Sequence, residues 1–242
     1  MGATATNWNG VRERVQALAR ADEARKVFGA WGTYGGTGHR FRLADPLPEA
    51  GVAEAEAQWG VSLPADYRAF LLEVGAGGAG PFYGLATLSR TRRTGWLWSD
   101  PGGGTAHERL RLPFPDEEES ARAQADHERD EPLPSRFEDE TAFDAAYRAW
   151  LVEDEKLSER LLSGALCLSH EGCGSFHWLV VSGARRGQVW LDERAGDGRL
   201  GRLGQTGFAD WYLGWVERTE AQVARGRGEG GNRPDASTAA KG

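Results

Sequence analysis

A chain of 242 residues with 36 Asp and Glu against 29 Lys and Arg carries a formal charge of −7. That balance lacks the basic footprint of a general nucleic-acid binder, and no 18-residue apolar run offers a membrane span. Its two cysteines, Cys167 and Cys173, make no disulfide framework for a chain of this size.

The length suffices for one well-buried core without a second full domain. The opening MGATATNWNGVRERV has no basic segment followed by an apolar core, so no secretory signal is expected and the chain reads as cytoplasmic. Lysine occurs only at Lys26, Lys156 and Lys241 among many arginines, alanines and glycines, which reads as a GC-rich bacterial genome. Val11, Val15, Leu18 and Phe28 share the apolar face of a helix expected over residues 8–30. The run WGTYGGTGHRF then forbids regular helix. It lacks the spacing of a phosphate-cradling loop, so residues 1–48 read as a helix and a Gly-rich loop, with a short strand at His39–Leu43.

The next stretch, VAEAEAQWGVSLPADYRAFLLEV, organises the chain. Val52, Glu56 and Trp59 fall at i, i+4 and i+7 on a first helix, and Gly60 suits the positive φ just past its end. Pro64 suits the first position of a second helix, where Asp66 complements the N-terminal partial charge. Tyr67, Phe70, Leu71 and Val74 form its apolar stripe. Gly75 to Gly80 make a turn into an expected strand at Phe82–Leu88, with a second at Trp96–Trp98. The turn SDPGGGTA follows, then a short strand at Leu110–Phe114.

From Asp116 to Glu140 the chain is acidic and poor in hydrophobes, which predicts a solvated or poorly ordered insertion. Phe143, Tyr147, Trp150, Leu151, Leu157, Leu161 and Leu162 support a helix over residues 141–162. Three short strands follow at Ala165–Ser169, Phe176–Ser182 and Gln188–Leu191, the last two joined by the hairpin signal SGARRG. Phe208, Trp211, Tyr212 and Trp215 form an aromatic closing helix, and the tail after Val223 reads as disordered. The expected architecture is α+β: a domain over 49–219, mainly antiparallel sheet flanked by helices, with an insertion at 116–140 and a tail at 220–242.

Two blocks of this pattern resemble the Smi/Knr proteins of the SUKH superfamily. The first is carried by Glu56, Trp59, Gly60, Leu63, Pro64, Tyr67, Phe70 and Leu71, with Gly77-Gly78 where the family usually has Asn-Gly. The second runs through Cys173-Gly174-Ser175, an aromatic strand, Gly187-Gln188-Val189 and the helix near Phe208. The blocks cover about 52–88 and 166–215, with the acidic insertion unmatched. The resemblance implies an α+β fold without catalytic residues or cofactors. It further implies that the chain binds proteins, as bacterial immunity proteins do when they block toxin domains, or as regulators do.

Cys167, His170, Cys173 and His177 have the spacing C-x2-H-x2-C-x3-H, which invites a zinc reading. Strand alternation points His177 and Phe176 to opposite faces. With Phe176 inward, His177 faces out and the four do not converge. Neither cysteine precedes a helix N-terminus that would activate a thiolate, and the carboxylates of 116–119 lack an apolar wall to raise a pKa. No enzyme motif survives, and a metal or catalytic role for the quartet is the third reading. The first is an immunity protein presenting an acidic, aromatic-bearing surface to a toxin's basic patch. The second is a housekeeping regulator of the same fold. Expected partner contacts are Trp98 beside its glycine turn, together with Asp100, Asp116, Glu117, Glu118 and Asp192.

Overall fold

The computed structural model describes residues 6–32, 38–99, 105–196 and 198–230, with backbone alone for Gln205 and 227–230. Helices α1 (Val11–Leu18), α2 (Glu49–Trp59) and α3 (Ala65–Glu73) precede a hairpin of β1 (Thr87–Thr91) and β2 (Gly95–Ser99). Helices α4 (Glu117–Arg129) and α5 (Glu140–Leu161) follow. Strands β3 (Ala165–Gly172), β4 (Ser175–Val180), β5 (Gln188–Asp192) and β6 (Leu200–Gly207) lead into α6 (Phe208–Gly230). The last four strands form one antiparallel sheet in the order β3-β4-β5-β6, and a single bridge between Leu85 and Ser169 joins it to the β1-β2 side. The fold is α+β, mainly antiparallel sheet flanked by helices.

The α2–α3 corner forms as its residues dictate. Gly60 ends α2 at φ 63, and its N–H returns to the Ala57 carbonyl. Pro64 is extended and α3 starts one residue later, at Ala65. Glu56 welds the two helices: its Oε1 accepts from the Leu63 N–H at 2.8 Å and its Oε2 meets Arg68 Nε at 3.2 Å. Arg186, from the β4–β5 turn, donates to the carbonyls of Ser62 and Leu63. The corner is thereby tied to the sheet. Gly77 and Gly78, at φ 133 and 99, are required rather than permitted. A Cβ at Gly78 would lie 2.5 Å from the Arg42 carbonyl oxygen, and one at Gly77 would lie 2.4 Å from that of Ala86.

The sheet is covered on both faces. Leu166, Leu168, Leu179, Val181 and Val189 join a core with Trp8, Phe70, Phe208 and Tyr212. On the reverse face Ala165, Cys167, Trp178, Val180, Trp190 and Leu200 pack with Phe114 and Leu161. This double burial explains the nearly continuous apolar runs ALCL and HWLV, where one wet face would give alternation.

Several expected elements take other forms. The helix over 8–30 stops at Leu18. Beyond it Ala21, Ala24, Val27 and Ala30 are buried at a spacing of three, each N–H bonded to the preceding member's carbonyl at 3.1–3.2 Å. Three residues per turn is the 3₁₀ period, and it leaves Phe28 56% exposed rather than on an apolar face. Arg40 and Phe41 have φ of 48 and 55, so 39–43 is a turn whose β-bridge, at Leu43, pairs with Gly78 of the glycine turn. Phe82, at φ 55, likewise delays β1 to Thr87. Leu110–Phe114 is irregular after a 3₁₀ turn at His107–Arg109.

Of the two forms expected for the acidic stretch the structure takes the solvated one, and in an ordered state: residues 117–129 are helix and bury only Ser120. Its charge helps rather than opposes that state. The Asp116 carboxylate accepts from the Glu118 N–H at 2.9 Å, three glutamates fill the first turn, and His127 and Arg129 sit in the last. Both ends thus complement the helix dipole. Strand β6, LGRLGQTG, has three glycines and no alternation, and it exists by pairing with β5. Helix α6 continues to Gly230 rather than ending at Val223. Val223 is buried, and Arg14 grips Glu220 through bonds of 2.9 and 2.7 Å. Residues 231–242 lie outside the described part.

Candidate functional site

Helices α4 and α5 form an arm over the outer face of the sheet. Residues 116–162 contain 16 acids and six bases, a net −10, so the rest of the chain carries +3 against the total of −7. The negative charge of this protein therefore resides in the arm. Two N-caps set it up: Asp116 on α4, and Asp139 on α5, whose carboxylate accepts from the Ala142 N–H at 2.8 Å.

The arm buries little. Among its 22 residues α5 fully buries only Leu161, and α4 buries only Ser120. Three half-buried rings stack along α5, and the last of them, Trp150, ties it to α4. Phe143 lies 5.7 Å from Tyr147, Tyr147 lies 5.6 Å from Trp150, and Trp150 stacks on His127 at 4.5 Å with planes 5° apart. The Trp150 Nε1–H donates to the His127 carbonyl at 3.0 Å and closes the α4–α5 hairpin. Glu117 reaches back to Arg202 of β6 at 3.0 Å. Outside this seam Leu151 and Val152 stand 45% and 50% exposed amid acids. Covering the exposed half of such a side chain is worth on the order of 1 kcal/mol.

Between arm and sheet lies a cleft of about 620 Å³. Phe176 and Trp178 of β4 line it together with Trp150 and Leu157 of α5. Glu128, Asp154, Glu155 and Glu159 surround it with carboxylates. Asp154 faces the His127 ring at 3.3 Å, out of line for a hydrogen bond.

The structure distributes the expected contact residues. Asp116, Glu117 and Glu118 stand together at the start of α4, with Asp116 and Glu118 exposed. Trp98 does not present a surface: it is 2% exposed and its Nε1–H donates to the Tyr67 hydroxyl at 2.8 Å. Asp192 is buried and bidentate to Arg194 at 2.8 and 2.7 Å, which cancels its charge locally. Asp100 lies outside the described residues. Tyr147, Leu151 and Val152 were not among the expected contacts. The signal for them is local: Trp150-Leu151-Val152 on a helix span too wide an arc for one buried stripe.

Cys167, His170, Cys173 and His177 are not brought together. Cys167 is buried on the arm side of the sheet, while His177 is buried on the other side between Phe82 at 4.9 Å and Trp211 at 5.4 Å. The expected orientation of β4 is reversed: His177 is 2% exposed and Phe176 is the half-buried neighbour. The reason is that a sheet wrapped on both faces has no outward side for His177 to take. Cys173 and Gly174, at φ 50 and 79, form the two-residue turn between β3 and β4, with the thiol exposed. His170 stacks on Phe176 at 4.7 Å. Among the described residues no three His, Cys, Asp or Glu side chains converge as a metal site would require. Burial lowers the pKa of His177 and of His39 to about 4, in His177 even with a Glu171 carboxylate oxygen 3.9 Å from its Nε2, so both are neutral at pH 7. Glu171, near His177, is raised by burial and then by the charge of Glu193.

An α2–α3 corner closed by Gly60 and Pro64, a glycine turn, an antiparallel sheet and an aromatic closing helix define a class of small α+β domain. The model of the SMI1 / KNR4 family (SUKH-1) matches residues 46–212, and the chain belongs to that family. No curated protein and no solved structure matches the chain significantly. None of the described helices is long and apolar enough to cross a membrane.

Proposed function

We propose that this chain is an immunity protein that binds a bacterial toxin domain and blocks it, with the α4–α5 arm as the contact surface. Membership of the SMI1 / KNR4 family supports a protein-binding role. The observation that carries the reading further is the segregation of charge, −10 in the arm against +3 elsewhere. A field so localised speeds encounter with a basic patch and sets its orientation, and Leu151 and Val152 supply apolar area at the point of contact. The protein acts by occupancy in the cytoplasm and requires no cofactor and no catalytic group.

Affinity capture of the tagged chain from the lysate of its native organism, read by mass spectrometry, tests this. Recovery of the C-terminal part of a large secreted protein supports immunity. Its loss when Glu118, Glu119, Glu128 and Glu155 are changed to lysine supports the arm. Recovery of a metabolic or cell-wall enzyme instead assigns the chain to housekeeping regulation.

A further inference from the structure

The α6 side closes where Trp8, Phe70, Phe208 and Tyr212 meet, but at its margin α6 and the sheet part around a pocket of about 560 Å³. The pocket holds a polar pair that the fold leaves incomplete. The His177 ring lies between Phe82, stacked on it at 4.9 Å, and Trp211 at 5.4 Å. Of its two ring nitrogens only Nδ1 is fully enclosed, and Nδ1 has no partner among the described residues. Nε2 instead faces Oε2 of Glu171 at 3.9 Å, and Glu171 lines the same pocket with 39% of its side chain exposed. That separation is too long for a direct hydrogen bond. A proton on Nδ1 would be a buried donor without an acceptor, so the neutral ring carries its proton on Nε2, toward the carboxylate.

A donor and an acceptor 3.9 Å apart leave room for one group that is both. A hydroxyl oxygen about 2.8 Å from each accepts the Nε2–H and gives its own proton to the Glu171 carboxylate. The remaining wall decides what carries that hydroxyl. Leu191, Leu203, Trp211 and Trp215 line the pocket with apolar surface, and Phe28, 56% exposed, is the most open of the lining rings. The Gln222 amide is already engaged by the Lys26 carbonyl at 3.5 Å. A lone water would satisfy the polar pair but leave this apolar surface uncovered. One hydroxyl slot set among aromatic walls is the complement of a phenol, whose ring stacks on aromatic faces while its hydroxyl both donates and accepts.

We propose that this pocket binds a phenolic ring, carried by a tyrosine side chain or by a free small phenol, with its hydroxyl between His177 Nε2 and Glu171. The site lies across the sheet from the arm and does not depend on it.

The test is a titration of the full chain, labelled with ¹⁵N in its histidine rings, with p-cresol, toluene and acetyl-tyrosine-amide. The His177 signals are identified by their loss in His177→Phe, or by their displacement in Glu171→Ala should the first variant not fold. p-Cresol shifts the His177 Nε2 resonance saturably, and toluene, the same ring without the hydroxyl, binds about tenfold more weakly. Glu171→Ala, a change at a part-exposed side chain, weakens p-cresol by about tenfold, as expected for losing a hydrogen bond to a charged group. Acetyl-tyrosine-amide acting as p-cresol does assigns the site to a tyrosine side chain, and its failure beside a binding p-cresol assigns the site to a free phenol. Toluene binding as tightly as p-cresol overturns the hydroxyl bridge. A p-cresol titration that leaves His177 unmoved overturns the pocket.

Discussion

On the α6 side of the sheet, Trp8, Phe70, Phe208 and Tyr212 meet with ring centroids between 4.7 and 6.2 Å, and Tyr212 donates its hydroxyl proton to the Ala79 carbonyl. On the arm side, two helices totalling 35 residues, 13 in α4 and 22 in α5, fully bury Ser120 and Leu161 alone. Helices in proteins owe most of their stability to packing an apolar face, so α5 is long for what it covers. The first side is closed and serves the fold. The second is charged, ring-lined and partly open, which is the character of a surface kept for something else.

Substitutions on the two sides should separate by several kcal/mol. Phe70→Ala removes a fully buried ring at the centre of the aromatic group and should cost about 3–5 kcal/mol in urea unfolding. Leu151→Ala should cost under about 0.5 kcal/mol, being an exposed change. Equal losses at the two positions would mean that α5 is part of the folding core.

Acid should act through the α6 side. His39 and His177 have pKa values of about 4 in the folded chain against an ordinary value near 6.5. Between those limits the unfolded chain binds the extra protons, so stability is full above pH 6.5 and falls as the pH drops towards 4. Linkage puts the loss at ~2–3 kcal/mol for each histidine. Urea midpoints at pH 7 and pH 4.5 check this, and His177→Phe should flatten the profile. A profile unchanged by that variant would remove His177 from the account.

Glu56 tests the family corner. Glu56→Ala frees the Leu63 N–H and one partner of Arg68, and should cost about 1–2 kcal/mol with no effect on partner binding. The smallest effect is expected at Cys173. Its φ of 50 at the first position of a two-residue hairpin favours asparagine, so Cys173→Asn should raise stability by about 0.5 kcal/mol. A loss there would show that the thiol is held by more than the turn.

The legible parts of this chain were those governed by local chemistry. Gly60, Pro64 and the Tyr67–Val74 stripe mark the corner because φ restriction and helical period act within a few residues. The turn SGARRG and the aromatic period of α6 were readable for the same reason. Less legible were the features set by what packs from afar. His177 points inward because the sheet has no wet face. Ala21, Ala24 and Val27 adopt a 3₁₀ period that a stretch rich in Arg and Glu conceals. Trp98 beside a glycine turn suggested a surface anchor, yet Tyr67, 31 residues away, holds it in the core. The arm was half visible: its acids were conspicuous, but composition does not reveal that capping turns such a run into helix.

The most direct test of the arm as the partner surface is the association rate with the toxin domain recovered by capture, measured from 50 to 500 mM salt. The wild-type rate should fall by about ten- to a hundredfold across that range. Replacing Glu118, Glu119, Glu128 and Glu155 by lysine should remove both the fast rate and its salt dependence. A rate indifferent to salt and to these four charges would contradict the account.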